Sequence, residues 1–181
     1  MDRVNSADPA PDNGFDDLLA ANEGYAARFQ SSHLAGTAAR GLAVVTCMDS
    51  RIEPLQMRGL SKGDAKILRN AGARVTDDVL RTLVLAAHLL GVTRVMVVAH
   101  SDCRMTKVNA VQVHEAIREA SGLDTRSLEF RTIEDQREAL AGDVQKIRSS
   151  PFLPDLDVIG CLYDVHSGRL EVAVPVEQPA T

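Results

Sequence analysis

Two short clusters bring together residue types that do chemistry. The first is Cys47-Met48-Asp49-Ser50-Arg51, and the second, about fifty residues on, is His100-Ser101-Asp102-Cys103. Two thiolates and an imidazole are donors that zinc accepts in a tetrahedral site. Three protein ligands would leave a fourth position open, as catalytic rather than structural zinc requires. His100 and Cys103 are three residues apart, so one turn of helix after a strand would aim both side chains the same way. Zinc held by two thiolates and a neutral imidazole carries no formal charge and acidifies a bound water less than an all-histidine site does. Such a site gains from a neighbouring carboxylate held in one rotamer by a bidentate arginine, and Asp49 with Arg51 supplies that pair. Each cluster alone has a plainer reading. A cysteine at a buried strand end is usually a small hydrophobe, and an acid two residues from an arginine is usually a solvated pair.

The elements around the clusters make their meeting geometrically reasonable. The run 41–47 is continuously apolar up to Thr46-Cys47 and reads as a strand buried on both faces, which implies a parallel sheet. Further strands are expected at 65–69 and 94–99, with an amphipathic helix between them over 77–90. Thr76, Asp77 and Asp78 suit that helix's start and Gly91 its end. Helical patterns follow over about 108–120 and 133–149, the second stopped by Pro151 and Pro154. The stretches 157–165 and 170–174 read as a closing hairpin. The expected fold is α/β: an open, mostly parallel sheet flanked by helices, with a C-terminal strand pair at one edge. Both clusters then sit at carboxyl ends of strands, where ligands bind if the strand order reverses between them.

The rest of the composition mainly excludes. The chain has 181 residues, 45% of them hydrophobic and 25% charged, enough for one core of ordinary size. No apolar run approaches the roughly 20 residues that cross a bilayer. A net charge of -5, no tryptophan and no basic stripe argue against nucleic acid. Three cysteines are too few and odd in number for a disulfide framework, and Cys161, inside an apolar strand, reads as core. Residues 1–14 read as a flexible acidic tail without secretory or transit character, which sets cytoplasmic residence as the expectation and 15–181 as a single zinc domain. A short amphipathic helix or two is expected within 15–29. His88, His114, His33 and His166 read as surface or packing residues, and Gly72 as a turn residue needing a positive φ or a close backbone approach.

Taken in order, Cys47-x-Asp49-x-Arg51, Arg69-Asn70-Ala71-Gly72 and His100-x-x-Cys103 resemble the β-class carbonic anhydrases, specifically the short bacterial and archaeal type. The likeness runs from about Phe15 to Val174 and includes Val75-Thr76-Asp77-Asp78 and Pro151-Phe152. The resemblance implies a zinc lyase whose Zn2+ is held by Cys47, His100 and Cys103. It implies an Asp49 and Arg51 dyad, a homodimer as the minimal unit, and reversible hydration of carbon dioxide to bicarbonate and a proton by metal-bound hydroxide. In some members the residue equivalent to Asp49 becomes a fourth ligand in a closed state, which leaves the arginine unpaired. Members of this short type also hydrolyse carbonyl sulfide or carbon disulfide to hydrogen sulfide with the same residues, so the motifs leave that substrate class open. A non-catalytic zinc-binding or redox-sensing protein is the more distant alternative. Arg104, where many relatives carry glycine, is expected to narrow the pocket, to pair with an acid such as Asp102, or to face solvent.

Overall fold

Six residues without a formal charge, Leu42–Cys47, form β1, and every one of them is buried. Burial on both faces demands cover from layers above and below, or strands on either side, and β1 has strands on both edges. On one edge it pairs in parallel with β2, Ala65–Asn70, and on the other with β3, Arg94–His100. Beyond β3 lie β4, Asp157–Tyr163, in parallel, and β5, Leu170–Val174, antiparallel to β4. The order is therefore β2-β1-β3-β4-β5. The chain leaves β1 toward one edge and returns to start β3 on the other side. That reversal opens a crevice at the carboxyl ends of β1 and β3.

The structure is a computed structural model that describes residues 14–177, in which the chain forms two units, one up to Leu34 and one from Ala35 onward. Apart from Gly14, the expected tail over 1–14 lies outside the described residues. The first unit holds α1, Asp16–Ala26, whose side chains are all exposed. A helix is present within 15–29 as expected, but none of its residues is buried in this chain.

In the second unit the helices are α2, Asp77–Leu89; α3, Ala110–Ser121; and α4, Gln136–Arg148. The Thr76 hydroxyl accepts the Val79 N–H at 3.3 Å and caps α2, with Asp77 and Asp78 placed favourably in its first turn. Val79, Leu83 and Ala86 of α2, and Leu140, Val144 and Ile147 of α4, recur at helical spacing and pack on Ala43, Val45, Val95, Val97 and Ala99 of the sheet. Each fully buried side chain of the size of Leu83 or Ile147 contributes roughly 1.5–3 kcal/mol. Gly160 lets α4 approach the sheet, since a Cβ there would stand 3.0 Å from Leu140 Cγ and 3.1 Å from Val144 Cγ2. The other sheet face gathers Leu42, Val44, Val98 and Cys161, packed by Met57, Leu60, Ile67, Met96 and Ile159, and among the described residues no α-helix contributes to this cluster. Cys161 is core, and burial pushes its thiol up. Among the described residues no helix is long and apolar enough to cross a membrane.

Candidate metal centre

The last residue of β1 and the last of β3 supply the first two donors. Cys47 is buried where β1 ends, and the turn after it is held from the edge strand: Arg69 Nε donates to the Cys47 carbonyl at 3.0 Å and Nη2 to the Asp49 carbonyl at 2.6 Å. The Gly72 N–H points at Cys47 Sγ from 3.4 Å. Only glycine suits that position, because φ is +80° and a Cβ would meet Ile133 Cδ1 at 3.1 Å and Met105 Cγ at 3.3 Å. Both demands foreseen for Gly72, the positive φ and the close approach, are present.

His100 ends β3 with its ring buried. Its Nδ1 lies 2.8 Å from the Ser101 carbonyl, an acceptor only, so Nδ1 carries the proton and Nε2 presents a lone pair. That Nε2 is buried and has no hydrogen-bond partner. A buried imidazole nitrogen left in this way costs free energy unless something coordinates it. Gln136 of α4 fixes the strand end from behind, its Nε2 donating to the His100 carbonyl at 2.8 Å.

Cys103 follows after a turn, and here the expectation of a helical turn is corrected. Asp102 takes the left-handed conformation, φ +57°, and the short 3-10 helix Arg104–Thr106 begins only after Cys103. The left-handed residue, not helical periodicity, turns the chain back so that Cys103 comes alongside His100. The donor atoms of Cys47, His100 and Cys103 all lie within 4.8 Å of one another, and all three residues are buried. Such a group could hold a metal ion, and zinc accepts all three donor types. The thiols already behave as a pair: a hydrogen bond from Cys103 pulls Cys47 well below the usual thiol range, aided by the Gly72 N–H, and the same contact with burial pushes Cys103 up. The orphaned imidazole nitrogen and this donor set fit zinc.

Asp49 and Arg51 stand beside these donors. Arg51 Nε and its backbone N–H donate to Asp49 Oδ1 at 3.0 and 2.9 Å, and Nη2 donates to Oδ2 at 2.7 Å. These bonds hold the Asp49 carboxyl far below the usual carboxylate range. Asp49 Oδ2 lies 4.0 Å from His100 Nε2, within the neighbourhood of the donor atoms but turned to the arginine.

All five residues singled out from the sequence therefore meet in one place. Five others that position them were not foreseen in that role: Arg69, Gln136, Asp102, Arg74 and Asp143. Asp102 pairs with Arg51 and Lys107, so the pairing with Arg104 considered for it does not occur, and Arg104 is exposed. Arg74 Nε donates to Asp143 Oδ2 at 2.6 Å across the back of the 71–73 turn, where Asp143 is 2% exposed. Asn70 braces this turn, its side chain bonding both the Arg74 N–H and carbonyl at 2.9 and 2.7 Å. A signal existed for Asp143, an acid on the apolar stripe of α4 between Leu140 and Val144. His88 and His114 lie elsewhere, bonded to the Phe152 carbonyl and to Thr125 Oγ1.

An open α/β sheet with a Cys-His-Cys donor set at its switch point, beside a clamped carboxylate, defines a site fit for zinc. Residues 42–170 match the carbonic anhydrase family, and the chain belongs to its β class. It is 34% identical over 164 residues to "Beta-carbonic anhydrase 1" of Mycobacterium tuberculosis, covering 88% of this chain and 98% of the relative. It is also 32% identical over 157 residues to a "Carbon disulfide hydrolase" of an Acidianus species, covering 72% and 76% respectively. The crystal structure of carbonic anhydrase from Streptococcus mutans superposes with a TM-score of 0.84 at 34% identity, covering 91% of this chain and 99% of that one. The resemblance read from the motifs is thus confirmed for family, fold and zinc.

Proposed function

We propose that the protein catalyses the reversible hydration of carbon dioxide to bicarbonate and a proton, with Cys47, His100 and Cys103 as metal ligands and Asp49 and Arg51 as the catalytic pair. The observation that carries this reading is the Asp49 carboxylate, gripped at both oxygens by Arg51 and standing 4.0 Å from His100 Nε2. A purely structural zinc site has no use for an oriented carboxylate beside three donors. A zinc ion bound here supplies Lewis-acid activation of a water molecule.

The chain's own residues do the rest. Asp49 stays ionised, so it is a poor store for a proton and acts as a hydrogen-bond acceptor that orients the attacking water toward the substrate carbon. Arg51 keeps that acceptor in one rotamer. The Ser101 carbonyl fixes the His100 tautomer, and Gly72 and Arg69 hold the Cys47 side of the site.

Hydrolysis of carbonyl sulfide or carbon disulfide is the second reading. It is favoured by the relative that bears a carbon disulfide hydrolase name and differs only in the substrate that reaches the same residues. A homodimer is the proposed assembly, as the family resemblance implies, and the exposed apolar side chains of Phe15, Leu18 and Leu19 at the start of α1 support it. A site of two thiolates suits a reducing compartment, and we place the protein in the cytoplasm. The test is to assay the zinc-loaded protein for proton release from carbon dioxide and for hydrogen sulfide release from carbonyl sulfide. A larger rate constant with carbon dioxide is expected, and a much larger one with carbonyl sulfide would install the second reading.

A further inference from the structure

Arg51 does not belong to Asp49 alone. Its Nη1 donates to Asp102 Oδ2 at 2.8 Å and its Nη2 also reaches the Asp102 carbonyl at 3.3 Å. The other Asp102 carboxylate oxygen is taken by Lys107 Nζ. Four polar contacts of the guanidinium are thus divided evenly: two hold Asp49, and two tie the arginine to the loop that carries Cys103. The division matters because the Arg51 side chain is 43% exposed and sits on a long flexible stem. An arginine bonded on one side only would ride with the carboxylate it holds. Bonded on both sides, it is fixed against the body of the site.

We propose that Asp102 is a positioning residue, acting through Arg51 to hold the Asp49 carboxylate at its place beside the ligands. Lys107 completes the arrangement by occupying the outer carboxylate oxygen, which leaves the inner one for Arg51. Asp102 also joins the two ligand clusters, since Arg51 follows Cys47 by four residues and Asp102 immediately precedes Cys103. The effect on turnover rests on the function proposed above, but the effect on Arg51 does not.

The backbone makes the test clean. Asp102 has φ +57°, a conformation that glycine adopts freely and asparagine better than most residues, so Asp102→Gly and Asp102→Asn both preserve the turn. The zinc-loaded wild type and both variants are compared for zinc content, carbon dioxide hydration and hydrogen exchange of the Arg51 Nε–H, assigned by its loss in Arg51→Lys. Asp102→Gly is expected to keep about one zinc per chain, to exchange the Arg51 Nε–H faster, and to lose about tenfold or more in kcat with KM little changed. Asp102→Asn, which can still accept one bond, should fall between. Wild-type exchange in Asp102→Gly would overturn the proposal whether or not the protein hydrates carbon dioxide. Unchanged kcat in an active enzyme would overturn the positioning role. A wild type inactive on carbon dioxide but with the expected exchange behaviour would sink the proposed function and leave the Asp102 contact standing.

Discussion

The Asp49 carboxylate stands 4.0 Å from His100 Nε2, and the arginine two residues later takes both of its oxygens. The carboxylate is therefore beside the metal ligands without joining them.

The Gly72 turn should tolerate no side chain. Gly72→Ala forces an L-residue to φ +80° and drives a Cβ against Ile133 and Met105. The strain alone costs roughly 1–2 kcal/mol. Thermal unfolding should show that loss, and a zinc competition assay should show weaker binding, because the Gly72 N–H that faces Cys47 Sγ must shift.

Asp143 sits with its carboxylate almost wholly buried between Arg74 and Lys146. Asp143→Ala leaves the half-enclosed Arg74 charge without its partner, and removal of one member of a buried pair costs about 3–5 kcal/mol. Lys146→Ala, by contrast, removes only a largely exposed charge and should cost under about 1 kcal/mol. Denaturant midpoints of the two variants check the contrast. Equal losses would show that the 71–73 turn does not depend on the buried pair.

Asp164 gives a pH prediction with a definite sign. The Ser167 hydroxyl, the His166 N–H and the Ser101 hydroxyl bond its carboxylate and lower it to about 2. The native chain then binds fewer protons than the unfolded chain between that value and the usual carboxylate value of about 4, so stability rises with pH across that window. The contribution is complete above about pH 4 and disappears as pH falls toward 2. The Tm gap between wild type and Asp164→Asn should accordingly be widest near neutrality and close on acidification. A gap that widens in acid would contradict this.

The parts of the molecule legible from sequence are those written in periodicity and in residue type. A continuous apolar run marked β1, the 3.6 period marked α2 and α4, and the ends of β1 and β3 then placed Cys47 and His100 at one crevice. The ligand types themselves announced zinc. What escaped was contact across sequence that has no period: Arg69 reaching to the Cys47 and Asp49 carbonyls, Gln136 to the His100 carbonyl, and Arg51 to Asp102. The route from His100 to Cys103 was misjudged for a related reason. A spacing of three fits one helical turn, and nothing in the letters shows that Asp102 turns left-handed instead.

The central claim is that a clamped carboxylate, and not the donor set alone, makes the site catalytic. Stopped-flow carbon dioxide hydration by Asp49→Ala, on protein verified by metal analysis, tests it directly. The account predicts about one zinc per chain and a rate reduced by two orders of magnitude or more, roughly the loss expected on removing a transition-state orienting group. Full activity at the same zinc content would contradict it.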